Sequence, residues 1–139
     1  MIILSVDYGR VRTGIAVCDK NEVIASPVAV IREVRQDVLA EKISLLAKEK
    51  QAELIVLGLP KNMDGSEGES AENVRHFQEI LREKSGLAVV LHDERGTTIT
   101  AHQYLNVTDT RGKKRKAVVD SVAAVIILED YMNFRRNCL

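Results

Sequence analysis

The chain has 139 residues, 45% of them hydrophobic and 29% charged, which excludes a disordered chain and leads us to expect one globular domain spanning 1–139, able to close a core without disulfide or zinc staples. Its 20 basic and 20 acidic residues cancel, so no global field draws it to nucleic acid or anionic lipid, and any such partner must be held locally. Cys18 and Cys138 fit neither a redox pair nor a disulfide framework. With no signal-like start and no apolar run longer than residues 122–128, the expectation is a cytoplasmic protein that does not engage a membrane.

Residues 2–6 read as a first strand ending at Asp7-Tyr8-Gly9, and 14–18 as its antiparallel neighbour across a glycine-bounded turn. Residues 23–31 form a third strand, which Pro27 confines to an edge or a bulge because proline cannot donate to a ladder. Leu39, Ile43 and Leu46 then repeat at helical spacing within 37–50. Residues 54–57, closed by Gly58 and Pro60, read as a strand buried on both faces in a parallel arrangement. A loop over 61–68 leads to a helix capped by Ser70, with Val74, Phe77 and Leu81 on its apolar face and Gly86 past its end. A fifth strand over 87–91 precedes a short helix over 97–105, capped by Thr97 or Thr98. A basic stretch separates that helix from a last one over about 117–133, whose Val118, Val122, Val125, Ile126 and Ile127 should lie on the sheet. The order βββαβαβαα is an α/β fold with a mixed five-stranded sheet and right-handed crossovers.

Three carboxylates stand where chemistry is a better reading than solvation. Asp7 ends the first strand, Glu94 follows the fifth, and Asp120 interrupts the apolar last helix one turn before Ala123 and Ala124. Asp7 also suits a plain turn, and Glu94 a pair with Arg95; Asp120 is harder to dismiss, because acids are rarely buried without a partner. Converging carboxylates repel, and a divalent ion taking only oxygen ligands offsets that repulsion. His76, His92 and His102 lack ligand spacing, which disfavours zinc and leaves Mg2+ or Mn2+, the ions of phosphoryl transfer.

Arg12 is a candidate phosphate contact or a surface ion pair, and the loop 62–68 either cradles a phosphate on its amides or simply enters a helix. Arg111, Lys113, Lys114, Arg115 and Lys116 place five cations in six positions, a nucleic-acid clamp or a solvated loop. Tyr8 suits base stacking or core packing equally, and the few aromatics form no base-stacking platform.

Four blocks, in order, carry a resemblance: Asp7-Tyr8-Gly9 with Arg12 and Gly14-Ile15-Ala16; Gly58-Leu59-Pro60-Lys61-Asn62-Met63-Asp64-Gly65-Ser66; Asp93-Glu94-Arg95 with Thr97-Thr98; and Asp120-Ser121 with Ala123-Ala124. Together they resemble the YqgF/RuvX family over nearly the whole chain. The resemblance implies a ribonuclease H-like fold akin to the resolvase RuvC, and a nuclease associated with maturation of the 5′ end of the 16S ribosomal RNA precursor. It also implies that Asp7, Glu94 and Asp120 are the acidic catalytic triad. The expected partners are structured or precursor ribosomal RNA, branched DNA or ribosomal particles. Competing readings are a Holliday-junction resolvase, which needs a homodimer rather than a monomer, a nucleotide-binding module, and a noncatalytic ribosome-assembly factor.

Overall fold

A computed structural model of the chain describes residues 1–60, 68–93 and 112–137, the last segment by its backbone alone as far as residue 121. Eight elements follow one another: β1 (Ile3–Asp7), β2 (Arg12–Cys18), β3 (Ala25–Arg32), α1 (Gln36–Glu49), β4 (Leu54–Leu59), α2 (Glu69–Ser85), β5 (Ala88–Asp93) and α3 (Gly112–Asn137). The strands form one sheet in the order β3-β2-β1-β4-β5. The meander β1-β2-β3 is antiparallel, while β4 and β5 are added parallel to β1 through helical crossovers, as the sequence predicts.

Strand chemistry explains the arrangement. Every residue of β4 is buried, because α1 and α2 cover one face of the sheet and α3 the other. Pro27 lies on β3, an edge strand, and the register jumps from Ile15↔Ala29 to Ala16↔Pro27, so the proline sits beside a bulge that leaves Val28 over. Along β1 the side chains alternate: Leu4 and Val6 join the core under α1 and α2, and Ile3 joins the one under α3.

Helix α2 buries Val74, Phe77 and Leu81 and ends on Gly86 in the left-handed conformation, φ 70°, whose N–H bonds the Arg82 carbonyl. Ser70 is not its cap. The Gly68 carbonyl accepts from the N–H groups of Ala71 and Glu72, so the helix starts at Glu69 and Ser70 lies within its first turn. Helix α3 also starts earlier than its apolar pattern suggests, at Gly112, so that Lys113, Lys114, Arg115 and Lys116 are helical positions rather than a separating loop. Lysine, arginine and alanine are strong helix formers, and a helix already packed downstream extends through them at little cost. The stripe of α3 that meets the sheet is Ala123, Ala124, Ile127, Leu128 and Met132; Val122, Val125 and Ile126 are only half-buried. The expected helix over 97–105 lies outside the described residues.

The far end of α3 is pinned electrostatically. Arg135 bonds Glu22 at 2.8 Å, and the same carboxylate takes the Met1 amino group at 3.2 Å. The Arg135 hydrogen bond holds the Glu22 carboxyl below its ordinary range. Among the described residues no helix is long and apolar enough to cross a membrane.

Candidate functional site

The site begins where β1 ends. Asp7 is the last residue of this central strand, and by alternation it shares the α3 face with Ile3 and Ser5. Ser5 is completely buried, and its hydroxyl donates to the Ala124 carbonyl of α3 at 2.7 Å. Because Arg135 reaches Glu22 beside Met1, the C-terminal half of α3 runs back toward the start of β1 and its N-terminal half toward Asp7. Position 120 precedes Ala124 by one turn, about 6 Å of helix, and Asp7 follows Ser5 by two residues, about 6.6 Å of strand. The backbone of Asp120 is thus level with Asp7.

The turn after Asp7 is held on the opposite face. Tyr8 stacks on Phe77 with ring centroids 4.7 Å apart, and its hydroxyl accepts from Gln36 Nε2 at 3.0 Å. Gln36 also donates to the Asn73 carbonyl, and its Oε1 lies 2.8 Å from His76 Nδ1. Tyr8 is therefore a packing residue, the second of its two sequence readings. Gly9 donates its N–H to the buried Thr13 hydroxyl. A small cavity of about 120 Å³ lies between this turn, Pro60 and the start of α2, lined by Tyr8, Arg10, Ser70 and Asn73.

Of the expected site residues, Asp7 ends β1, position 120 lies on α3 one turn before Ala124, and Arg12 opens β2, next to the turn. Glu94 lies outside the described residues, directly after Asp93, which ends β5 opposite Leu59 of β4. The loop 62–68 also lies outside them, apart from Gly68 at the head of α2. Among the described residues no three His, Cys, Asp or Glu side chains cluster to hold a metal. His92 is structural, with Nε2 2.6 Å from Asp130 Oδ2 and its ring edge against Tyr131.

Ser5 and Gln36 escape a sequence reading that looks for chemistry, although a lone serine inside an apolar strand is a visible signal. Ser5 ties α3 to β1 one turn from position 120. Ser5→Ala should cost only about 1 kcal/mol of stability, because the N–H at position 128 still bonds the Ala124 carbonyl within the helix. The same variant should lower kcat with KM unchanged, a split that urea titration and steady-state kinetics read separately. An unchanged kcat would show that the register does not depend on this bond.

The sequence pattern of the RuvX family, described as Holliday junction resolvase, matches residues 1–134. The chain belongs to the RuvX family. Its full-length relatives include a protein from Clostridioides difficile, 39% identical over 97% of this chain and 96% of that one, and another from Endomicrobium trichonymphae, 40% identical over 96% of each. A third, from Heliobacterium modesticaldum, is 41% identical over 96% of this chain and 89% of its own. All three carry the name "Putative pre-16S rRNA nuclease". In fold, this RuvX-family chain resembles Thermus thermophilus RuvC in complex with a Holliday junction, with TM-score 0.60 and 12% identity over 99% of this chain and 96% of that one. The Fowlpox virus resolvase in its junction complex gives TM-score 0.58 at 13% identity over 97% and 99%. The fold is ribonuclease H-like, as the four sequence blocks imply.

Proposed function

We propose that this RuvX-family protein is a metal-dependent nuclease that hydrolyses phosphodiester bonds in RNA and processes the 5′ end of the 16S ribosomal RNA precursor. The observation that carries the reading is Asp7 at the end of the central strand with position 120 level with it across the Ser5–Ala124 bond. Relatives of about 40% identity over nearly the whole chain bear a matching name.

The donor chemistry fits Mg2+ or Mn2+: the acids assigned here, Asp7, Asp120 and Glu94, offer hard carboxylate oxygens. When bound, such an ion supplies an activated water and charge stabilisation at the leaving oxygen. In this reading Asp7 and Asp120 hold the ion, and Glu94 either joins them or orients the attacking water. Arg12 meets a phosphate beside the turn. Rigid placement of these groups by β1, β5 and α3 is the protein's main contribution to the rate.

The test is cleavage of labelled precursor ribosomal RNA and of a four-way DNA junction, side by side, with Mg2+ or Mn2+, against Asp7→Asn. Cleavage of RNA that vanishes in the variant supports the reading; cleavage of the junction alone replaces it with a resolvase.

The basic start of α3 extends the substrate surface. Replacing Lys113, Lys114, Arg115 and Lys116 together by alanine keeps helix propensity, so any change reports charge. Binding of precursor RNA should weaken and its dependence on salt should flatten, by about one unit of log–log slope for each lost phosphate contact. An unchanged slope removes the start of α3 from the interface.

A further inference from the structure

Asp7 shares the α3 face of the sheet, but the turn that follows it has a second side. There the cavity of about 120 Å³ lies outside the carboxyl ends of the neighbouring parallel strands β1 and β4, between Gly9, Pro60 and the first turns of α2, the crevice where open α/β sheets take ligands. Its described lining contains one cation, Arg10, and no acid. Among the described residues the exposed Arg10 guanidinium has no ion pair or hydrogen bond, and the Ser70 hydroxyl has none either. Asn73 gives its backbone carbonyl to Gln36, and its carboxamide bonds no described residue. Glu69 and Glu72 belong to the same turn of α2, but both are exposed and neither lines the cavity. The walls are fixed in advance. Gln36 Nε2 donates to the Tyr8 hydroxyl at 3.0 Å and to the Asn73 carbonyl at 3.3 Å, Tyr8 is stacked on the buried Phe77, and Val74 is itself buried.

Donors without an acceptor, around a space with no acid in its lining, suit an anion. The volume limits which one. About 120 Å³ is well below the roughly 300–1,000 Å³ of pockets that enclose whole small molecules, so the cavity takes a single group, and phosphate oxygens match a guanidinium fork with a hydroxyl and an amide beside it. Gly9 is two residues from Asp7, at most about 7 Å of chain, so a strand held at Asp7 has its neighbouring phosphate within reach of the cavity. We infer that the cavity is a second phosphate subsite of the nuclease, in which Arg10, with Ser70 and Asn73, holds one phosphate of the substrate strand on the α2 side of the turn while the scissile one lies on the α3 side. The inference rests on the nuclease reading and adds to it a path over the Tyr8-Gly9 turn and three residues that the sequence does not mark as ligands.

The test uses the full chain carrying Asp7→Asn, so that bound substrate is not cut, with labelled single-stranded RNA bearing either a 5′-phosphate or a 5′-hydroxyl as probes. In anisotropy titrations over a range of KCl, Arg10→Gln should weaken binding about three- to tenfold at low salt. The salt slope should fall by about 0.7, the value of one phosphate contact on a single strand. Arg10→Lys, which keeps the charge but not the fork, should retain the slope and recover only part of the affinity. Asn73→Asp, which puts a carboxylate into the lining at nearly unchanged size, should weaken binding as Arg10→Gln does. Lys48→Gln is the charge control: Lys48 is an exposed cation on α1, about 18 Å of helix from Gln36, and its loss should leave affinity and slope unchanged. A loss confined to the 5′-phosphorylated strand assigns the cavity to a terminal phosphate, and equal loss on both strands assigns it to an internal phosphodiester; either supports the subsite. Unchanged affinity and slope in Arg10→Gln, while the parent binds RNA, overturns the subsite and leaves the nuclease reading standing. A fall in Arg10→Gln that Asn73→Asp does not share puts the contact outside the cavity and overturns it too, as does an equal fall in Lys48→Gln, which would reduce the effect to general charge. A parent that binds neither strand overturns the nuclease reading and the subsite with it.

Discussion

Asp7→Asn is expected to reduce cleavage by about 10³-fold or more while leaving the fold and RNA affinity in place. The substitution is isosteric and removes only the negative charge, at the end of a strand otherwise secured by ladders on both sides and by the Ser5–Ala124 bond. Loss of one preorganised electrostatic group in a site of this kind costs about 10²–10³-fold, and loss of a metal ligand adds to that by removing the ion's contribution. A binding readout separates the metal role from a general one. A ligand that binds only the folded state stabilises it by about 2.7 kcal/mol at a hundredfold excess over Kd, so Mn2+ should raise the melting temperature of the wild-type chain without any substrate present. In Asp7→Asn that rise should be lost. If the variant cleaves precursor RNA as well as the parent, the acids are fold residues and the noncatalytic assembly reading takes over. If it fails to cleave yet keeps the full Mn2+ shift, Asp7 acts on the substrate rather than the ion.

Much of the fold is legible in the sequence because strand chemistry is local. The β-branched runs of β1, β4 and β5 announce themselves, Pro27 by itself puts β3 at an edge beside a bulge, and an acid at the end of the first strand or inside an apolar helix conflicts with its neighbours. Three kinds of information were not local. The start of α3 is not visible in the pattern because a run of cations looks like solvated loop, whereas helix propensity and the packing downstream make Lys113, Lys114, Arg115 and Lys116 helical. Ser70 has a capping side chain, but the carbonyl that takes the first helical bonds belongs to Gly68. The third gap concerns cross-element pairing: Ser5 with Ala124, and Tyr8 with Phe77 and Gln36, are separated in sequence by as many as 119 positions, and each becomes informative only once the sheet register is known. The resemblance named the acids; the fold adds that Asp7 ends the strand whose Ser5 bonds α3 one turn from position 120.

Gly9→Ala is the second variant with a large expected effect, and its reason is steric rather than conformational. A Cβ built on Gly9 would lie 2.1 Å from the carbonyl oxygen of Arg12, on backbone that cannot swing aside as a side chain does. To reach ordinary contact, the turn must open by more than 1 Å. Its two ends resist: Tyr8 is stacked on Phe77 and bonded by Gln36, and Thr13 is completely buried with its hydroxyl accepting the Gly9 N–H. The displacement therefore falls on Asp7 or on Arg12, the residues beside the anchored ones. Overpacking of this kind costs about 1–3 kcal/mol, and a misplacement of about 1 Å in a catalytic group costs about 10²-fold in rate. Gly86→Ala is the matched control. Its glycine has φ 70° but nothing within 4 Å of an added Cβ, so it should lose about 1 kcal/mol of stability to backbone strain with no loss of cleavage. Melting temperatures and single-turnover rates for the two variants separate the cases: equal destabilisation with cleavage lost only in Gly9→Ala ties the rate to the geometry of the turn. A Gly9→Ala chain that melts and cleaves like the parent would show instead that the turn yields without moving Asp7, and that the end of β1 is positioned by its ladders alone.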